Sequence, residues 1–75
     1  SIKDCKYTEA ISCYDIVQNL DKKNTLAIAY KGLSVGEMGN ITLAIKYFKK
    51  ALSIDNDYKL AQISLDIAKR IMESH

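Results

Sequence analysis

Proline and tryptophan are both absent from this chain, and histidine occurs once, as the final residue His75. Without proline, no helix is broken from within. A metal site needs three or four ligands. Two cysteines and a terminal histidine do not supply them, so no metal and no cofactor is expected. Cys5 and Cys13 are eight residues apart. On one continuous helix that is about 12 Å of rise, too far for a bridge. They read as reduced thiols of an intracellular, cytoplasmic protein. Long apolar runs are also missing, since none approaches the roughly 18 residues of a membrane span, and no membrane partner is expected. Lys3, Asp4 and Lys6 interrupt any apolar signal core at the start. The chain opens on Ser1 rather than Met, as a piece of something longer would.

Charge of one sign is scarce. The net charge is +2, too small to demand nucleic acid or an anionic membrane. Lys46, Lys49 and Lys50 cluster, but they read as a solvated face, because the neighbouring Tyr47 and Phe48 are better explained by packing than by base stacking. Glycine is limited to Gly32, Gly36 and Gly39, spaced along and at the end of a helical stretch, which is the wrong setting for a phosphate cradle. No nucleophile lies beside a base and no acid–base pair shares a plausible pocket, so the chain is not expected to be an enzyme.

What is present is helical pattern. With 75 residues, 48% apolar and 27% charged, the chain is one ordinary globular unit, short enough to bury only about 60–65% of its unfolded surface. The first helix is predicted over about Lys6 to Leu20, where Tyr7, Ala10, Ile11, Tyr14, Val17 and Leu20 recur at steps of three and four. Asp21 to Asn24 form a turn, and Asn24 or Thr25 caps the second helix, which runs to about Met38. Gly39 stops it and Asn40 caps the third, Ile41 to Ile54, with Leu43, Ala44, Tyr47, Phe48, Ala51 and Leu52 inside. Asp55, Asn56 and Asp57 make a polar turn with a further N-cap. The last helix runs from about Tyr58 to the end. Connections this short lay neighbouring helices antiparallel. The expected fold class is all-α, a stack of antiparallel helix-turn-helix hairpins.

A shift of 34 residues aligns the chain with itself. Tyr7, Ala10, Ile11, Tyr14, Val17, Leu20 and Asp21 land on Ile41, Ala44, Ile45, Phe48, Ala51, Ile54 and Asp55; Ala27 lands on Ala61 and Leu33 on Ile67. A fixed period of this length marks a stacked helical repeat, in which each unit needs a neighbour to bury its apolar face.

The stretch Thr25 to Tyr58, TLAIAYKGLSVGEMGNITLAIKYFKKALSIDNDY, resembles a tetratricopeptide repeat, the 34-residue helix–turn–helix unit. Gly32 stands at the small position midway along the first helix and Gly39 at the inter-helix turn. Ala44, Phe48 and Ala51 supply the small, aromatic and small residues of the second helix, and Ala51-Leu52-x-Ile54-Asp55 reads like the usual end of a unit. The resemblance divides the chain into the second helix of a partial repeat (1–24), a complete repeat (25–58) and the first helix of a following repeat (59–75). The family's Trp, Leu, Tyr and Pro are here Ile28, Lys31, Val35 and Asn56. Lys31 falls where a buried Leu is usual, so either its ammonium reaches out to water or the packing there differs. Cys5 takes the place of a turn glycine.

By this resemblance, the first helices of successive repeats line a concave groove for a peptide or a partner's helix. The groove positions are Leu26, Ala29, Tyr30, Leu33 and Glu37, followed by Leu60, Ile63, Ser64, Ile67 and Arg70. Most are apolar, so the face asks for a cover: a partner segment, neighbouring repeats, or a second copy of the chain. Tetratricopeptide clamps for acidic chaperone tails use Lys, Asn and Arg. Leu26, Tyr30, Leu60 and Ser64 offer no such donors, so the chain is not expected to be one of these clamps. The expected function is a protein-interaction module or scaffold segment that works by apolar docking, with Tyr30, Ser64, Glu37 and Arg70 setting register. The alternative is a packing or self-association element with no peptide ligand of its own. Nucleic acid is not an expected partner.

Overall fold

The computed structural model describes the backbone of residues 2–74 and the side chains of residues 6–74. Ser1 and His75, and whether either is native, lie outside the described residues. Four helices follow one another: α1 (Ile2–Leu20), α2 (Thr25–Glu37), α3 (Ile41–Ile54) and α4 (Lys59–Glu73). No strand interrupts them among the described residues. Each helix packs on the next, and α2 also reaches α4. The result is an all-α stack of antiparallel hairpins, a slab of 37 × 35 × 15 Å rather than a closed bundle.

The turns follow the chemistry of their residues, with two differences from expectation. Asn24 accepts a hydrogen bond from the Ala27 amide at 3.0 Å, and Asn40 accepts one from the Leu43 amide at 3.2 Å. Gly39 carries φ +99°, a conformation that favours glycine. The turn before α4, by contrast, gives that helix no side-chain cap: its N-cap position is Tyr58. Asp55 spends its carboxylate within the turn, accepting from the Asp57 amide at 3.1 Å, and Gln62 reaches back from α4 to the Asn56 carbonyl at 2.8 Å. At the other end, α1 begins four residues earlier than the apolar stripe implied. Residues 2–5 contain no proline or glycine to stop it. Cys5 therefore lies within a helix rather than at a turn, on the same helix as Cys13, whose thiol is free.

The interface between α2 and α3 is the best-packed part of the molecule. Ile28, Gly32, Val35 and Gly36 share one face of α2, and Ala51, Phe48 and Ala44 share one face of α3, in antiparallel register. A Cβ on Gly32 would come within 2.6 Å of the Phe48 ring and 3.1 Å of the Tyr47 Cβ. Glycine is thus required here by the approach of the two helices. At Gly36 the same addition would meet the Ala44 Cβ at 3.4 Å, an ordinary contact. Ile28 and Ala29 are fully buried with Ala51 and Ala61, which joins α4 to the same core.

Lys31 does not snorkel. It is only 8% exposed, and its ammonium pairs with the Asp15 carboxylate at 2.5 Å and donates to Gln18 Oε1 at 3.0 Å. It also lies 4.8 Å from the centre of the Tyr47 ring, a cation–π distance. One side chain of α2 thereby ties α1 to α3. Among the described side chains of α1, none is fully buried, and Val17 and Leu20 of the predicted stripe are exposed. The seam instead rests on the half-buried Tyr7, Ala10, Ile11 and Tyr14, together with the Lys31 tie.

Four outcomes in urea denaturation follow. Gly32→Ala is expected to lose about 1–3 kcal/mol through overpacking against Phe48, although alanine is the better helix former by about 1 kcal/mol. Gly36→Ala is expected to gain up to about 1 kcal/mol. Asp15→Ala, which deprives the buried ammonium of its counter-charge, is expected to cost about 1–3 kcal/mol. That lies below the loss from a fully enclosed pair, because the Asp15 side chain is half exposed. Lys31→Met should stay within about 1 kcal/mol of the parent protein.

Candidate functional site

α4 is apolar around more than half of its circumference. At about 100° per residue, its apolar positions, interrupted only by Ser64, sweep an arc from Ile63 through Ile67, Leu60, Ile71, Ser64, Ala68, Ala61 and Met72 to Leu65. The second half of this arc faces mostly inward: Ser64, Ala68 and Ala61 are buried and Leu65 is partly covered, while Met72 near the end of the helix is exposed. The first half is open apart from the partly covered Leu60. Ile63 is 60% and Ile67 53% exposed, and Ile71 is exposed beside them. Lys59, Gln62, Asp66, Lys69, Arg70 and Glu73 fill the remaining arc.

The open stripe borders a hollow of about 130 Å³ between α2 and α4. Ala44 and Phe48 form its floor, and Gly32 and Gly36 leave its α2 side without side-chain bulk. Leu33, Glu37, Ile67 and Ile71 lie around it. Both glycines border the hollow, and Gly32 is also the residue that lets α3 approach α2 closely.

The ten groove positions read from the sequence divide three ways. Leu26, Tyr30, Glu37, Ile63, Ile67 and Arg70 are exposed, and Leu33 and Leu60 are partly covered. Ala29 and Ser64 are buried within the chain, so neither can touch a partner directly. Both are small residues on the inner sides of their helices, and Ala29 belongs to the cluster that joins α2 to α4 through Ala61. Leu33, Glu37 and Ile67 converge on the hollow. Arg70 turns to the polar side and pairs with Asp66 at 3.1 Å, one helical turn back. Ile71 was not among the ten, though it continues the stripe of Leu60, Ile63 and Ile67. The role of Gly36 was equally legible in its spacing of four from Gly32.

Tyr30 is held rather than loose. Its ring stacks on Tyr14 of α1, with centroids 5.6 Å apart and planes 20° from parallel. Tyr58, at the start of α4, is partly covered by the core. Burial, and after it the neighbouring Tyr30 and Asp55, raises the Tyr58 hydroxyl above its ordinary value. Lys46, Lys49 and Lys50 are exposed on α3. Among the described residues, no three His, Cys, Asp or Glu side chains converge to hold a metal ion, and no helix is long and apolar enough to cross a membrane. Compared with known proteins, the chain matches no family model, no curated protein and no solved structure.

The raised Tyr58 hydroxyl makes a pH prediction. The unfolded chain gives up this proton near pH ~10, before the folded chain does. The resulting stability is complete below that point and lost as pH rises through the folded value. The urea midpoint should therefore fall on going from roughly pH 9 to pH 11, and the Tyr58→Phe variant should show a shallower fall.

Proposed function

We propose that this chain is a segment of a tetratricopeptide-like helical stack, with 25–58 as its complete repeat. We further propose that it serves as a protein-interaction module, receiving a partner's helix or peptide in the groove between α2 and α4. The observation that carries this reading is the open half of the α4 apolar arc. Ile63 and Ile67 stand more than half exposed beside a concave hollow, in a molecule whose other large aliphatic positions along α2 and α3 are mostly covered. An apolar stripe adjoining a cleft is the surface expected for helix-in-groove recognition. Leu26, Leu33, Leu60 and Ile67 would supply contact area, and Tyr30 and Glu37 would set register. Ser64 acts only from beneath the surface.

Self-association is the second reading, and the same aliphatic stripe favours it, because a second copy would cover it equally well. A photo-crosslinking residue placed at Ile63 separates the two, with one at Lys49 on the outer helix as the control. Heterologous adducts at Ile63 alone, abolished by Ile67→Asp, are the expected outcome. Adducts consisting only of a second copy would transfer the conclusion to self-association. Equal labelling at Lys49 would remove the groove altogether. Ile67→Asp should leave stability within about 0.5 kcal/mol, as substitutions at exposed positions do.

A further inference from the structure

We propose that the hollow between α2 and α4 takes the aliphatic anchor of an amphipathic helix that carries a lysine or arginine three or four residues from that anchor, the cation meeting Glu37. The proposal rests on the docking-groove reading above and adds the chemistry of the occupant. The hollow is apolar on its floor and along its α2 side, through Phe48, Ala44 and the two glycines, so it accepts hydrocarbon. Charge around it has one uncompensated sign. On the α4 side, Arg70 and Asp66 neutralise each other. Glu37 has no ion-pair partner among the described residues, and it lines the hollow while remaining exposed to solvent.

The position of Glu37 strengthens its demand for a cation. It is the last residue of α2, and the final turn of that helix contains no basic residue. A carboxylate there adds to the negative end of the helix rather than offsetting it. The positive start of α3 lies just beyond the Gly39 turn, so the helix fields partly cancel and the carboxylate itself supplies most of the preference. Leu33 and Glu37 are four residues apart on one helix, about 6 Å along its axis. A partner helix that seats an aliphatic side chain beside Leu33 brings a residue one turn away level with Glu37. An acidic or purely aliphatic helix would leave the carboxylate partly desolvated and unpaired, which costs affinity.

The test is selection from a displayed library of helical peptides with one randomised face, using the full 75-residue chain as bait. Enriched peptides should pair an aliphatic residue with Lys or Arg at a spacing of three or four. Glu37→Gln should weaken them about three- to five-fold, and selection on Glu37→Lys should enrich Asp or Glu at the same position. Enriched peptides that lose binding on Ile67→Asp yet show no charge preference would overturn this chemistry and leave the groove reading standing. No enrichment, or binding indifferent to Ile67→Asp, would overturn both. A dimer in sedimentation that Ile67→Asp dissolves would assign the hollow to a second copy and overturn the proposal. Circular dichroism confirms that each variant is folded before it is scored.

Discussion

One interior charge constrains how three of the helices of this molecule meet. Lys31 stands where three helices meet, with Asp15 and Gln18 of α1 on one side and the Tyr47 ring of α3 on the other. An ammonium in such a place is tolerable only when its donors are occupied. Here every buried side-chain nitrogen and oxygen among the described residues has a partner. A leucine at this position would stick to any apolar surface. A lysine accepts only the geometry that offers a carboxylate, an amide oxygen and a ring face together. That selectivity matters most for α1, which has no fully buried described side chain to fix its rotation against α2. Tyr14 on Tyr30 and Ile11 against the core add area, and the charge adds directional contacts to Asp15 and Gln18.

The α2–α3 interface works on the opposite principle, by the absence of bulk. Gly32 admits the Phe48 ring, and Gly36 faces Ala44. This close approach commits the two helices to one another and draws the core to that side of α2. Toward α4, Ala29 and Ala61 enter one common cluster, and Val35 and Ala68 enter another through Ala44 and Phe48. Beside that second cluster, between Gly32 and Gly36 on one side and Ile67 and Ile71 on the other, a hollow stays open. Gly32 permits the tight hairpin, and Gly32 and Gly36 together border the recess.

Much of this could be read from the residues. Helix boundaries at Asn24, Gly39 and Asn40 were legible because each involves local chemistry: an amide-capping side chain, or a left-handed backbone that favours glycine. The cap expected at Asp55–Asp57 failed because three adjacent polar residues can bond to one another as readily as to a helix, and a linear pattern does not say which they choose. Lys31 was recognised as anomalous, but its partners were not, because Asp15 and Gln18 lie on another helix and periodicity reports only one helix at a time. Ala29 and Ser64 were placed on the open face by register alone. Their small size, which lets neighbouring helices close over them, was the missing signal.

The stacked pair Tyr14 and Tyr30 has a practical consequence. The chain contains five tyrosines and no tryptophan, so its near-ultraviolet absorption and emission come almost entirely from phenol rings. Two of those rings are held 5.6 Å apart across the seam between α1 and α2, close enough for their excited states to influence one another. Undocking α1 would separate them. The protein thus carries its own optical gauge of whether its first helix is in place, with no added dye or label.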